Sequence, residues 1–181
     1  MEQPLLETAR LILRPFALAD APDVQRLAGA PEVADTTLNL PHPYEVRDAE
    51  QWIASQPARF ASGSNVAYAI TRRTDGVLAG AISLMEISAR HRRAELGYWL
   101  GVPFWNQGYM TEAAALIGYG FSALGLHKIT AAHFTRNPAS GRVMQKIGMT
   151  QEGVQRRHVC KNGVFEDHAL YGLLAEDWNT Q

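Results

Sequence analysis

The sequence predicts an α/β fold: a mixed central sheet of six to seven strands with helices on both faces. Three observations predict it. Two stretches near the start carry apolar residues at helical spacing. The middle of the chain then switches to strand-like runs joined by an Asp-Gly turn, a hairpin signal that makes the front half antiparallel. The second half alternates strand and helix, the β-α-β-α-β order of a sheet with crossover connections.

The elements follow in order. Arg10 to Arg14 alternates apolar and basic residues until Pro15 and reads as a strand. Asp20 to Ala28 reads as a helix with Val24 and Leu27 on one side, stopped by Gly29 and Pro31. Thr36 to His42 reads as a polar loop. Tyr44 to Ala61 reads as a second helix, carrying Val46, Trp52, Ile53 and Phe60, with Pro57 expected to kink or break it. Val66 to Thr71 and Val77 to Ile87 read as strands across Thr74-Asp75-Gly76. Ala94 to Leu100 is the next strand, after the basic loop Arg90-His91-Arg92-Arg93. Tyr109 to Leu124 reads as a helix, Lys128 to Phe134 as a strand and Ala139 to Lys146 as a short helix. Two closing strands, Met149 to Val159 and Phe165 to Leu174, flank the turn Lys161-Asn162-Gly163.

The 181 residues are expected to form one domain over 1–181. Charge excludes little but points away from some partners. Seventeen Lys and Arg against 18 Asp and Glu leave a net charge of -1. That gives no global attraction to nucleic acid or to an anionic membrane. The basic side is 14 arginines and 3 lysines. A single cysteine, Cys160, allows no internal disulfide. The apolar run from Ala113 to Leu126 is interrupted by glycines and is shorter than the roughly 20 residues that span a bilayer. Met1-Glu2-Gln3-Pro4 is not followed by a leader-like apolar segment, so a cytoplasmic protein is expected. No histidine pair has zinc-ligand spacing on a helix, and no metal is expected.

Chemistry concentrates in two segments. In the first, the strand Leu96-Gly97-Tyr98-Trp99-Leu100 leads through Gly101-Val102-Pro103-Phe104-Trp105-Asn106-Gln107-Gly108 into a helix at Tyr109-Met110-Thr111-Glu112. A helix start offers N–H groups without internal partners and the positive end of the macrodipole. Gly108 lets a phosphate approach the backbone closely. The segment lacks the P-loop pattern, and Gly118-Tyr119-Gly120 lies inside a helix, so neither an NTP loop nor a dinucleotide fingerprint is indicated. In the second, Asn137-Pro138-Ala139-Ser140-Gly141-Arg142-Val143-Met144-Gln145-Lys146-Ile147-Gly148-Met149 follows a strand, and Asn137 or Ser140 can cap its helix.

Together these segments resemble motifs A and B of the GNAT superfamily of N-acetyltransferases. Glu7-Thr8-Ala9-Arg10-Leu11-Ile12-Leu13-Arg14-Pro15, Ala94-Glu95-Leu96-Gly97-Tyr98-Trp99-Leu100 and Leu170-Tyr171-Gly172-Leu173-Leu174 resemble the RimJ/RimL branch, the ribosomal-protein N-terminal acetyltransferases. The resemblance implies a GNAT fold and acetyl-CoA as cosubstrate. It implies pyrophosphate binding by the backbone of Gln107, Gly108, Tyr109, Met110 and Thr111. Pantetheine would pair with Trp99, Leu100 and Val102, and Asn137 would anchor it. A backbone N–H near Leu100 would polarise the thioester. Ser140 is the resemblance-based partner for the leaving thiolate, and Glu95 is the candidate base, with Asp167 and His158 behind it. An exposed carboxylate balancing Arg92 or Arg93 is the competing reading of Glu95.

The chain departs from the pattern at four places. Trp105 and Met110 replace the usual motif A residues. Met144 stands where many relatives carry a tyrosine. Arg156-Arg157-His158-Val159 stands where some carry a glutamate. The acceptor is expected to be an amine: a protein N-terminal α-amino group, or alternatively a small amine such as a polyamine, amino acid or antibiotic. Its specificity is expected in the loop Thr36 to Tyr44. A non-catalytic acyl-CoA-binding module is the alternative of another class. The resemblance leaves a homodimer open.

Overall fold

The computed structural model describes residues 2–178. The front half contains β1 (Leu6–Glu7), β2 (Leu11–Arg14), α1 (Ala21–Ala28), α2 (Pro31–Thr36), α3 (Val46–Ala61), β3 (Val66–Arg72), β4 (Leu78–Ser88) and β5 (Arg93–Leu100). The back half contains α4 (Tyr109–Ala113), α5 (Ala115–Ser122), β6 (Lys128–Phe134), α6 (Pro138–Lys146), β7 (Thr150–Lys161), β8 (Val164–Leu174) and α7 (Ala175–Trp178).

All eight strands form one sheet in the order β1-β2-β3-β4-β5-β6-β8-β7. Neighbours from β1 to β5 are antiparallel, β5 and β6 are parallel, and β6, β8 and β7 are again antiparallel. The sheet thus has one strand more than the upper expectation. The addition is β1, whose two residues are too few to show a period. The helix α2 falls just before the expected loop Thr36 to His42, on residues for which no element was expected, because six residues are too few to show an apolar period.

Two helices differ from expectation for visible reasons. Pro57 lies inside α3, yet the helix runs on to Ala61. Pro57 has no N–H for the Ile53 carbonyl, while in the same turn Ser55 Oγ and Gln56 Nε2 both donate to the Trp52 carbonyl, at 2.6 and 2.8 Å. The expected helix Tyr109 to Leu124 divides at Ala114, where the ladder tightens and the Ile117 N–H bonds the Ala114 carbonyl at 2.8 Å. Both hairpin turns form as expected, with Gly76 at φ +69° and Asn162-Gly163 at +49° and +81°.

The core is built on alternate strand positions. Leu11, Leu13, Tyr68, Ile70, Ile82, Leu84, Leu96 and Ile129 are buried and belong to one core cluster with the helix residues Val24, Leu27, Ile53, Leu116 and Ile117. Gly120 of α5 lies against Leu84 and Ile129, close enough that a Cβ would collide with Leu84. Ser83 and Met85, the neighbours of Leu84, therefore project to the opposite face. That face borders a cleft under α3. Among the described residues no helix is long and apolar enough to cross a membrane.

Candidate active site

The sheet opens at its centre. β5 pairs with β6 only from Arg93 to Glu95, opposite Lys128 to Thr130. Beyond that point β5 stays with β4 as far as Leu100, while β6 stays with β8 as far as Phe134. Backbone groups on the facing edges of Leu96 to Leu100 and Ala131 to Phe134 thus have no strand partner in the gap. The Gly101 N–H donates to the Ala79 carbonyl at 2.9 Å. By alternation along the strand, the Leu100 N–H turns the other way, into the gap.

The loop after β5 closes one end of this gap. Trp105 Nε1 donates to the Leu100 carbonyl at 2.8 Å. Gly108 precedes α4 at φ +75°, a left-handed conformation that disfavours any side chain. The N-terminal strand braces the turn from behind. Arg10 Nη1 donates to the Gln107 carbonyl at 2.9 Å, and the guanidinium lies 4.9 Å from the Tyr109 ring centre. Glu112 of α4 accepts from Thr8 Oγ1, the Arg10 N–H and Arg10 Nε, each at 2.6 Å. Burial alone would raise the Glu112 carboxyl, but these bonds hold it below its usual range.

A cleft of about 940 Å³ runs through the gap. Of the residues singled out in the sequence, Glu95, Trp99, Leu100, Gly108, Tyr109, Met110, Thr111, Asn137 and Ser140 line it. Val102 and Gln107 do not. Val102 lies in a single 3₁₀ turn, and the Gln107 side chain bonds the Pro103 carbonyl at 2.8 Å. Capping, the structural role open to Asn137 and Ser140, is not what they do. Asn137 makes no side-chain cap. The Ser140 hydroxyl instead meets Tyr98 Oη at 2.8 Å. Met144, one turn on, is fully buried and apolar.

Glu95, Gly97 and Trp99 share one face of β5, and Leu96 and Tyr98 the other. The carboxylate and the Tyr98–Ser140 pair therefore flank the gap from opposite faces. Burial, with Glu86 nearby, raises the Glu95 carboxyl above the usual carboxylate range, against a smaller opposing pull from Arg93. The competing reading, a carboxylate paired to Arg92 or Arg93, finds no ion pair among the described residues: Arg92 Nε bonds the Gly125 carbonyl instead. Asp167 and His158 do not line the cleft; Asp167 Oδ1 accepts the Arg157 N–H at 2.8 Å. No group of His, Cys, Asp and Glu among the described residues is arranged to hold a metal ion.

The sequence reading missed two site residues and one anchor. Tyr98 was readable from its odd separation from Glu95, which sets it on the other face. His168 lines the cleft from β8, with burial and then His158 and His133 holding its pKa down. Lys161, at the far end of β7, donates to the carbonyl of Leu40 at 2.7 Å and of Leu38 at 3.4 Å, pinning the loop Thr36 to Tyr44. Arg136 adds ion pairs to Asp35 at 2.6 Å and Glu166 at 2.7 Å. No local pattern could have connected residues more than 100 positions apart.

Comparison with known proteins decides the family. The acetyltransferase (GNAT) domain family matches residues 10–150. The chain belongs to the GNAT acetyltransferases. The N-acetyltransferase YoaA of Bacillus subtilis is 34% identical over 172 residues, 94% of this chain and 97% of that one. Shorter matches include the Escherichia coli ribosomal protein uS5 alanine N-acetyltransferase, 32% identical over 84 residues, 46% of this chain and 43% of that one. The E. coli spermidine N(1)-acetyltransferase is 32% identical over 94 residues, 51% of this chain and 50% of that one. The crystal structure of a probable acetyltransferase superposes with TM-score 0.88 at 26% identity, covering 96% of this chain and 98% of that one. RimL, a ribosomal L7/L12 α-N-protein acetyltransferase solved with coenzyme A, superposes with TM-score 0.87 at 20% identity, covering 94% and 98%. The opened sheet is therefore that of a GNAT fold, and the chain is an N-acetyltransferase of GNAT type.

Proposed function

We propose that this GNAT enzyme transfers acetyl from acetyl-CoA directly to the α-amino group of a protein N-terminus, in the cytoplasm, within one domain over 1–181. The observation that carries the reading is the divergence of β5 from β6 after Glu95. It leaves strand edges for an extended ligand arm, beside a glycine-bearing helix start for its phosphates. The solved RimL relative holds coenzyme A.

Acetyl-CoA supplies an activated thioester, and the chain's own residues do the rest. The backbone from Gly108 to Thr111 binds pyrophosphate. Trp99 and Leu100 align the pantetheine, with Asn137 as its anchor. The Leu100 N–H faces the thioester oxygen; one such donor is typically worth about 3 kcal/mol at the transition state. Glu95 takes the proton of the incoming ammonium, directly or through water, and burial, by raising its carboxyl, makes it a stronger base than an exposed carboxylate. Ser140 hydrogen-bonds the departing thiolate from the other face.

Amine chemistry favours an α-amine over a polyamine. With an ordinary pKa of about 7.7–8.0 it is partly neutral at physiological pH and needs less help than an alkylamine, at about 10.4.

The test is acetyl transfer from acetyl-CoA to a panel of N-terminal peptides, polyamines, amino acids and aminoglycosides, with products located by mass spectrometry. Transfer to peptide N-termini is expected. Transfer only to small amines moves the assignment to them. Coenzyme binding without any transfer replaces it with a non-catalytic acyl-CoA-binding module.

A further inference from the structure

We propose that Tyr98 is a positioning residue for Ser140, holding the serine hydroxyl so that its hydrogen points into the gap between β5 and β6, at the coenzyme's sulfur. This rests on the reading above that coenzyme A binds in that gap.

The geometry carries the inference. Tyr98 Oη lies 2.8 Å from Ser140 Oγ and 3.2 Å from the Ser140 carbonyl oxygen. The phenol has one hydrogen. If it goes to the carbonyl, Ser140 must donate back to Tyr98, and the serine hydrogen is consumed. If it goes to Oγ, at the more usual O–H···O length, the serine hydrogen is released toward the cleft that Ser140 lines. An anion in the gap selects the second arrangement, because only that one offers it a hydrogen. No other described side chain bonds the Ser140 hydroxyl, and Met144, one turn further along the same helix, is apolar.

Tyr98 orients and does not supply the proton. Burial pushes its phenol up to about 12, with Tyr171 adding to the rise and the Ser140 bond opposing it. A thiol titrates near 8.5, so the phenol keeps its hydrogen while the sulfur carries charge. The serine gains donor strength through the polarised chain of two hydroxyls.

The experiment follows the sulfur itself and needs no acceptor. Coenzyme A labelled at the carbon that bears sulfur is bound to the full chain, and its thiol is titrated by NMR. In the wild type the bound thiol should titrate below free coenzyme A. Ser140→Ala and Tyr98→Phe should each reduce the thiolate fraction at fixed pH by about tenfold, and the double variant should do no more than either. Replacing Tyr98 by a ring-fluorinated tyrosine keeps the bond, makes a stronger donor, and should lower the thiol pKa further; this arm stands even if Tyr98→Phe folds poorly. A Tyr98→Phe titration equal to wild type, with Ser140→Ala shifted, makes Tyr98 a brace between β5 and α6 and overturns the proposal alone. Equal titration in all variants overturns it as well. Absence of coenzyme binding by the wild type overturns the functional reading beneath it.

Discussion

Arg10 Nε meets Glu112 Oε2 at 2.6 Å, joining the turn before β2 to the first turn of α4. The two residues lie 102 positions apart, and the same carboxylate also takes the Arg10 N–H and Thr8 Oγ1. Arg10 in turn holds the Gln107 carbonyl, so the turn at Gly108 is fixed from behind by a residue that does not line the cleft. Arg10→Ala should raise the KM for acetyl-CoA about fivefold, equivalent to about 1 kcal/mol of lost positioning, and leave kcat nearly unchanged. Steady-state kinetics check this. Equal losses in kcat and kcat/KM would instead place Arg10 in the transition state.

Gly108 should tolerate no side chain. Its φ of +75° costs an L-residue about 1–2 kcal/mol, more when β-branched, and a Cβ there would sit 3.4 Å from Arg10 Nη2. Gly108→Val should therefore displace the helix start and abolish measurable coenzyme binding by calorimetry. The circular dichroism spectrum should stay native, because the turn lies outside the core.

How far the sequence was legible follows from the range of each interaction. The strand, turn and helix around Gly108 and the helix after Asn137 were readable because their signals are local. Hairpins at Gly76 and Gly163 were readable for the same reason. The helix α2 was not, because six residues show no period. Glu95 could be named as a candidate base, but its burial could not: that depends on α3 closing over β5. Lys161 and Arg136 were invisible because their partners, Leu40 and Asp35, come from the opposite end of the chain. Tyr98 lies between these cases. Its side of β5 was countable from Glu95, whereas its bond to Ser140 required knowing that α6 lies alongside.

Glu95→Gln should lower kcat/KM by about 10²–10⁴-fold with little change in coenzyme affinity. The base works deprotonated, so the wild-type rate should fall as pH drops through the Glu95 pKa, which lies above the usual carboxylate range. That acidic limb should vanish in the variant. Stability should move oppositely. A carboxyl raised on folding favours the fold when protonated, and that contribution is lost as pH rises through the folded pKa. The glutamine carries no such loss, so its Tm should exceed wild type at neutral pH and converge with it below the unfolded pKa of about 4.5.

Lys161→Met should separate acceptor binding from coenzyme binding. Lys161 is buried, and its ammonium bonds the Leu40 carbonyl at 2.7 Å from across the β7–β8 hairpin. Methionine matches its length and removes the donor, so the loop Thr36 to Tyr44 is released. Acceptor KM should rise about tenfold, the loss expected for a hydrogen bond from a charged group, while the KM for acetyl-CoA stays put. Stability should change little, for a reason of sign. Burial, with Arg136 nearby, lowers the Lys161 pKa despite the opposing pull of Asp35. The fold therefore favours the neutral amine and carries a charged one at a cost below that pKa. Methionine removes that cost together with the bonds, and the two losses offset. A large drop in Tm with unchanged acceptor KM would show that Lys161 holds the hairpin alone and that the loop keeps its shape without it.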